Sequence, residues 1–220
     1  MSFGRWPVLG ALVAVAVSVA ALLGGPAPKA RADCPDVQLI FARGTNEPPG
    51  LGAVGDALFG ALQGSLGGRS FDNYAVNYPA SYNFLQTGDG ANDARDHIAA
   101  MVDQCPATHL ILGGFSQGAA AVSMLAGVPP LGNTIGEFGS APALDPGLAN
   151  KIRAVAVFGN PGNRFNTPLS TAGAFAGRAI DLCAAGDPVC VVGGRDRDAH
   201  HDYSTPPFPG QAAGFIAGRV

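Results

Sequence analysis

Charge is scarce in this sequence. Asp, Glu, Lys and Arg make up 13% of its residues, about half the usual share. No run of basic residues occurs, which excludes the phosphate-neutralising surface of a nucleic-acid binder. No Cys-x-x-Cys pair occurs, so a zinc site is not expected. No cofactor is expected. Only four histidines are available as bases. One long apolar run exists, Val8 to Leu23, with Ser18 its only polar side chain. At about 16 residues it is shorter than the ~20 that a membrane-spanning helix needs. Disorder is excluded in turn, because 47% of the chain is apolar and so little of it is charged.

What surrounds the apolar run points to export. Arg5 precedes it, and Pro26-Ala27-Pro28-Lys29-Ala30-Arg31-Ala32 follows it. Ala30-Arg31-Ala32 has the small-x-small pattern that signal peptidase accepts. Residues 1–32 therefore read as a secretory signal peptide cleaved before Asp33, the alternative being an uncleaved anchor. The expectation is a secreted protein whose domain is 33–220, with cell-wall association compatible. The leader holds three of the 13 basic residues and none of the 16 acidic ones, which leaves ten against 16, a formal charge of −6. The cysteines, Cys34, Cys105, Cys183 and Cys190, are even in number, as two disulfides require in an exported chain. Three pairings are open. Cys183 and Cys190 are close enough to clip one loop, and Cys34 would then pin the mature N-terminus to Cys105. By loop entropy the long bridge adds about 4 kcal/mol and the short one about 2.5 kcal/mol.

Short apolar runs read as buried strands: Val37–Phe41, a segment near Tyr74–Val76, His109–Phe115, Ala154–Phe158 and Ala179–Leu182. Runs apolar on both faces suit a parallel sheet covered by helices. Helical patterns lie between them at Val54–Leu66, Asn92–Asp103 and Gln117–Leu125, with a last one at Gly210–Ala217. The alternation predicts a single α/β domain, a three-layer α/β/α sandwich.

Gly114-Phe115-Ser116-Gln117-Gly118 matches G-x-S-x-G. The pattern is short enough to arise by chance in a chain with 32 glycines, but its setting is specific. An apolar strand runs into it and Ala119-Ala120-Ala121 follow, as a sharp strand-to-helix turn carrying a nucleophile requires. A serine nucleophile needs a base, and the base needs an orienting carboxylate. On α/β-hydrolases the chain order is Ser, acid, His. His97 and His109 precede Ser116 and fail that order; His200 and His201 remain. The intervening acids include Glu137, Asp145, Asp181, Asp187, Asp196 and Asp198. Asp187 is the best of them, because it follows a strand and lies inside the Cys183–Cys190 clip, which would stiffen its loop. Asp181 falls in the strand, and Asp196 and Asp198 alternate with Arg195 and Arg197 in a solvated loop. An oxyanion needs fixed donors. The Gln117 N–H follows the nucleophile, and the loop Ala42–Glu47 after the first strand offers Thr45. In an ordinary turn, Arg43 and Glu47 would instead form a surface ion pair of small value.

Four segments together resemble the cutinase family across the whole mature chain. They are Phe41-Ala42-Arg43-Gly44-Thr45-Asn46-Glu47, Gly113-Gly114-Phe115-Ser116-Gln117-Gly118-Ala119, Gly186-Asp187-Pro188-Val189-Cys190 and His200-His201-Asp202-Tyr203. The resemblance implies a minimal, lidless α/β hydrolase with a central five-stranded parallel sheet. It implies Ser116, Asp187 and His200 as the triad, with His200 favoured over His201 by the H-x-x-Y spacing. It also implies Thr45 and Gln117 at the oxyanion, the pairings Cys34–Cys105 and Cys183–Cys190, and no metal. Thr45 stands where the best-known fungal members carry serine. The implied activity is hydrolysis of short to medium acyl esters. Phospholipase, acetyl-polysaccharide esterase and acyltransferase chemistry are alternatives with the same triad, and a catalytically dead cell-wall or binding protein is the non-enzymatic one. The expected partner is an ester or lipid substrate, with no obligate protein partner. Tyr82-Asn83-Phe84-Leu85 and Pro206-Pro207-Phe208 could line an acyl groove.

Overall fold

The computed structural model describes residues 1–4, 34–132 and 138–220. The expected signal peptide, residues 1–32, thus lies outside the described residues except for its first four, and Glu137 lies outside them too. Five strands, β1 (Val37–Ala42), β2 (Phe71–Ala75), β3 (His109–Phe115), β4 (Ile152–Phe158) and β5 (Ala179–Leu182), form one sheet in the order β2-β1-β3-β4-β5. Every neighbouring pair is parallel. The helices are α1 (Gly52–Ser65), α2 (Thr87–Gln104), α3 (Gln117–Leu125), the single turn α4 (Pro146–Ala149) and α5 (Phe208–Ala217).

The pleat explains the layers. All six residues of β1 are buried, and successive side chains point to opposite faces. Val37, Leu39 and Phe41 pack with Val54, Leu58 and Leu62 of α1 and with Ile216 of α5. Ile40 and Ala42 pack with Ala91 and Ile98 of α2 and with Val122 of α3. Each large side chain so buried contributes about 1.5–3 kcal/mol, and both faces of the sheet are closed. β3 runs through the middle, so its carboxyl end opens onto the crevice where α/β sheets hold ligands.

The expected strands and the three-layer architecture match what is observed, and the differences have local causes. Strand β2 starts at Phe71, ahead of the expected segment, because this edge strand is only half-buried and its Asp72 and Asn73 interrupt the apolar run. Helix α2 starts at Thr87 rather than Asn92 because Gly88 and Gly90, poor helix formers, sit inside it. A Cβ on Gly88 would lie 2.5 Å from the Ser140 carbonyl oxygen, and one on Gly90 would lie 2.9 Å from the Tyr78 ring. Close packing, not propensity, keeps glycine there. Disulfides join Cys34 to Cys105, next to the end of α2, and Cys183 to Cys190, in the loop after β5.

Candidate active site

Only Ser116 separates β3 from α3. Its φ of 53° and ψ of −112° lie in a region that costs a non-glycine residue about 1–3 kcal/mol. The surroundings hold it there. The Ser116 N–H donates to the Phe158 carbonyl on β4 at 2.9 Å. A Cβ on Gly114 would meet the Gly118 carbonyl oxygen at 2.5 Å, and one on Gly118 would overlap the Ala42 carbonyl. Both glycines of the motif are therefore required by close backbone approach.

The Ser116 hydroxyl lies 2.9 Å from His200 Nε2. His200 Nδ1 lies 2.8 Å from Asp187 Oδ2. With Asp187 ionised, Nδ1 carries the proton and donates it, which leaves the Nε2 lone pair to accept from Ser116. His200 ends a 3-10 turn, Asp198–His200. That turn is capped by Asp196, whose Oδ1 accepts the N–H groups of Asp198 and Ala199 at 3.1 and 3.2 Å. The Phe115 ring backs the imidazole at 5.0 Å between centroids.

Asp187 is fully buried. Oδ1 accepts the Val189 N–H at 2.7 Å. Oδ2 accepts the Tyr203 hydroxyl at 2.6 Å as well as His200. Burial pushes this carboxyl up, but the hydrogen bonds from His200, Tyr203 and Val189 outweigh it and hold it below the usual carboxylate range.

The remaining acids do other work. Asp181 accepts from Asn160 Nδ2 and from the N–H groups of Leu169 and Ser170, tying down the chain between β4 and β5. Asp145 precedes α4 with no side-chain cap bond, and Asp198 opens the His200 turn. Of the other histidines, His201 sits on the pocket rim beside His200, with rings 5.9 Å apart. His97 bonds Gln38 and stacks on Tyr74. His109 opens β3.

Gln117 opens α3, so its N–H has no intrahelical acceptor. Beside it, the Thr45 hydroxyl donates to Gln117 Oε1 at 3.1 Å. Gln117 Nε2 in turn donates to Thr87 Oγ1 at 3.0 Å, and Thr87 donates to the Phe84 carbonyl at 2.7 Å. A buried amide thus links Thr45 to the first residue of α2. The Arg43–Glu47 ion pair that an ordinary turn would make does not form. Arg43 is 4% exposed and donates to the carbonyls of Glu47, Val76 and Tyr78. The Glu47 carboxylate instead accepts the N–H groups of Gly44 and Ala53 at 2.6 and 2.8 Å. Both side chains satisfy loop backbone and so fix the turn that carries Thr45.

A pocket of about 340 Å³ opens beside Ser116 and His200, walled by Val54, Phe115 and Tyr82. Tyr82 meets the groove expectation. Phe208 does not: its ring packs 4.9 Å from that of Tyr203, on the core side, because it starts α5. Among the described residues no cluster of His, Cys, Asp or Glu could hold a metal ion. Sequence reasoning missed the roles of Thr87 and Asp196, which carry no motif. Tyr203 stands in the H-x-x-Y segment, but the spacing by itself assigns it no role.

The fold and this site define the class, a serine ester hydrolase on a minimal α/β-hydrolase frame, with no lid segment among the described elements. The cutinase family model matches residues 33–220. The chain is similar to Phospholipase Culp4 of Mycobacterium tuberculosis, 44% identical over 99% of this chain and 96% of that one. It is similar to Probable carboxylesterase Culp3 of the same organism, 46% identical over 96% and 79%. Among solved structures, a Trichoderma reesei cutinase in complex with a phosphonate inhibitor is 31% identical, with a TM-score of 0.66 over 84% of this chain and 76% of that one. The chain belongs to the cutinase family.

Proposed function

We propose that the protein is a secreted esterase that cleaves short to medium acyl esters through an acyl-enzyme on Ser116. His200 Nε2 takes the hydroxyl proton as Ser116 Oγ bonds the ester carbonyl carbon. Asp187 holds the imidazole in the tautomer that can accept it and stabilises the imidazolium. The Gln117 N–H and Thr45 stabilise the oxyanion. His200 then returns the proton to the departing alcohol. Water repeats the cycle on the acyl-enzyme and releases the acid. The observation that carries this reading is the pair of hydrogen bonds Ser116–His200 and His200–Asp187, 2.9 and 2.8 Å. The apolar wall of Val54, Phe115 and Tyr82 favours an acyl chain in the pocket. Residues 1–32 are the export signal in this reading and 33–220 the mature enzyme. Two disulfides suit an oxidising destination.

A phospholipase activity is the second reading, favoured by the similarity to Phospholipase Culp4. A series of p-nitrophenyl esters of rising acyl length, run beside phosphatidylcholine vesicles, separates the two. An added alcohol acceptor reveals acyl transfer. Ser116→Ala tests the chemistry itself. Turnover should fall by at least about a thousandfold, fluorophosphonate labelling should vanish, and the melting temperature should hold. Normal turnover by that variant refutes the proposal.

A further inference from the structure

We infer that the Tyr203 hydroxyl is a positioning group for the acid–base pair, holding the Asp187 carboxylate toward His200 while moderating its pull on the imidazolium. The inference rests on the triad reading above. Tyr203 is fully buried, packed among Phe115, Phe158 and Phe208. A buried phenol needs a partner, and the observed arrangement leaves it one role. Its oxygen accepts the Ala184 N–H at 2.8 Å, so its proton is directed at Asp187 Oδ2, 2.6 Å away. Burial, and then the neighbouring carboxylate, push the phenol above its ordinary range, so it stays a neutral donor across the working pH.

The two donors compete for one oxygen. Oδ2 receives both Tyr203 and His200, while Oδ1 is occupied by Val189. A hydrogen bond to a carboxylate stabilises its ionised form and lowers its basicity. The Tyr203 bond therefore fixes the carboxylate plane and also withdraws charge from the oxygen that faces His200. The disulfide sulfur of Cys190 touches both groups, 3.2 Å from Oδ2 and 3.3 Å from the phenol oxygen. Having no proton, it packs against them without donating. Other charged or titratable groups surround the pair. Ser116, His201 and Glu47 line the same pocket as His200, the Glu47 carboxylate being held by the N–H groups of Gly44 and Ala53. Asp196 caps its turn, among Arg195, Arg197 and Asp198. Arg164 donates to the Pro188 carbonyl. None of these shares Oδ2, so the Tyr203 proton is the group whose removal changes that oxygen alone.

The test is Tyr203→Phe, followed by kcat/KM against pH on p-nitrophenyl butyrate, with active sites counted by fluorophosphonate. Without the phenol proton, Oδ2 becomes a stronger counter-charge to the imidazolium. The acidic limb should move up by about half a pH unit. The orientation loss should lower kcat per active site about three- to tenfold, with KM within about twofold. In an Asp187→Asn background the same substitution should move neither the limb nor the residual kcat. A limb that stays put or moves down, or an equal loss in both backgrounds, overturns the inference. Should Tyr203→Phe fold poorly, fluorotyrosine placed at position 203 keeps the shape and donates more strongly. It should move the limb down, and an upward or absent shift overturns the inference equally. If Ser116→Ala abolishes turnover while these limbs fail to move, the inference falls alone. If Ser116→Ala turns over normally, the triad reading falls with it.

Discussion

Replacing Thr45 with valine keeps the shape of the side chain and deletes one hydroxyl. Removing an oxyanion donor typically costs about 2.7–4 kcal/mol. Thr45 should cost less, because its proton already has a partner. The hydroxyl donates to Gln117 Oε1 at 3.1 Å, and that amide cannot easily turn around. Thr87 gives its own proton to Phe84 and so must accept from Gln117 Nε2. Serving an oxyanion means exchanging the Gln117 bond, whose net worth is about 1 kcal/mol. The expected net loss is then about 2 kcal/mol, or about thirtyfold in kcat, with KM little changed because the interaction appears only as charge develops. Burst-corrected kcat on p-nitrophenyl butyrate reads it. Thr45→Ser should retain activity within about threefold, since the donor remains. Gln117→Leu frees the Thr45 proton while leaving the backbone N–H in place, so Thr45→Val should cost more in that background than alone. A Thr45→Val enzyme within twofold of wild type would refute the oxyanion role. A smaller penalty in the Gln117→Leu background would refute the exchange argument.

Two further outcomes follow from the same geometry. His200→Ala should lower kcat by about three to four orders of magnitude, whereas His201→Ala, on the rim and facing no acid at Asp187, should cost less than about tenfold; the reverse ranking, in titrated enzyme, would reassign the base. Asp187 is held below the ordinary carboxylate range, so it contributes stability that is present above about pH 4 and lost as pH falls through its folded value. Melting temperatures should therefore drop more steeply for wild type than for Asp187→Asn below that pH, and parallel curves would contradict the assignment.

What could be read from the residues was whatever depends on periodicity and chain order. His109–Phe115 is a continuous apolar run ending at a motif glycine pair, and β3 and α3 have the expected limits. A buried central strand admits no other pattern. Where burial is partial or small residues serve packing, the signal fails. Strand β2 is an edge, and Gly88 and Gly90 hide the first turn of α2 because their function is to let Ser140 and Tyr78 approach. The ordinary-turn alternative, an Arg43–Glu47 ion pair, fails for a related reason. Opposite charges four residues apart suggest an ion pair, yet each side chain turns to backbone groups. Loop amides and carbonyls buried by tertiary contact outbid a weak exposed attraction.

Asp181 and Asp187 show the remaining limit. They lie six residues apart, follow or end the same strand, and are chemically identical. Asp181 accepts from Asn160, Leu169 and Ser170, all of them groups that hold loops. Asp187 accepts from His200 and Tyr203, which arrive from thirteen and sixteen residues later. The difference between a structural and a catalytic carboxylate is therefore not a property of the aspartate. It is set by which donors the fold brings to each oxygen. The disulfide clip pointed to Asp187 because it implied a rigid loop, but rigidity alone would serve Asp181 equally well. What distinguishes Asp187 is that one of its oxygens is divided between a fixed phenol and a mobile proton carrier, and a residue-by-residue reading has no term for such sharing.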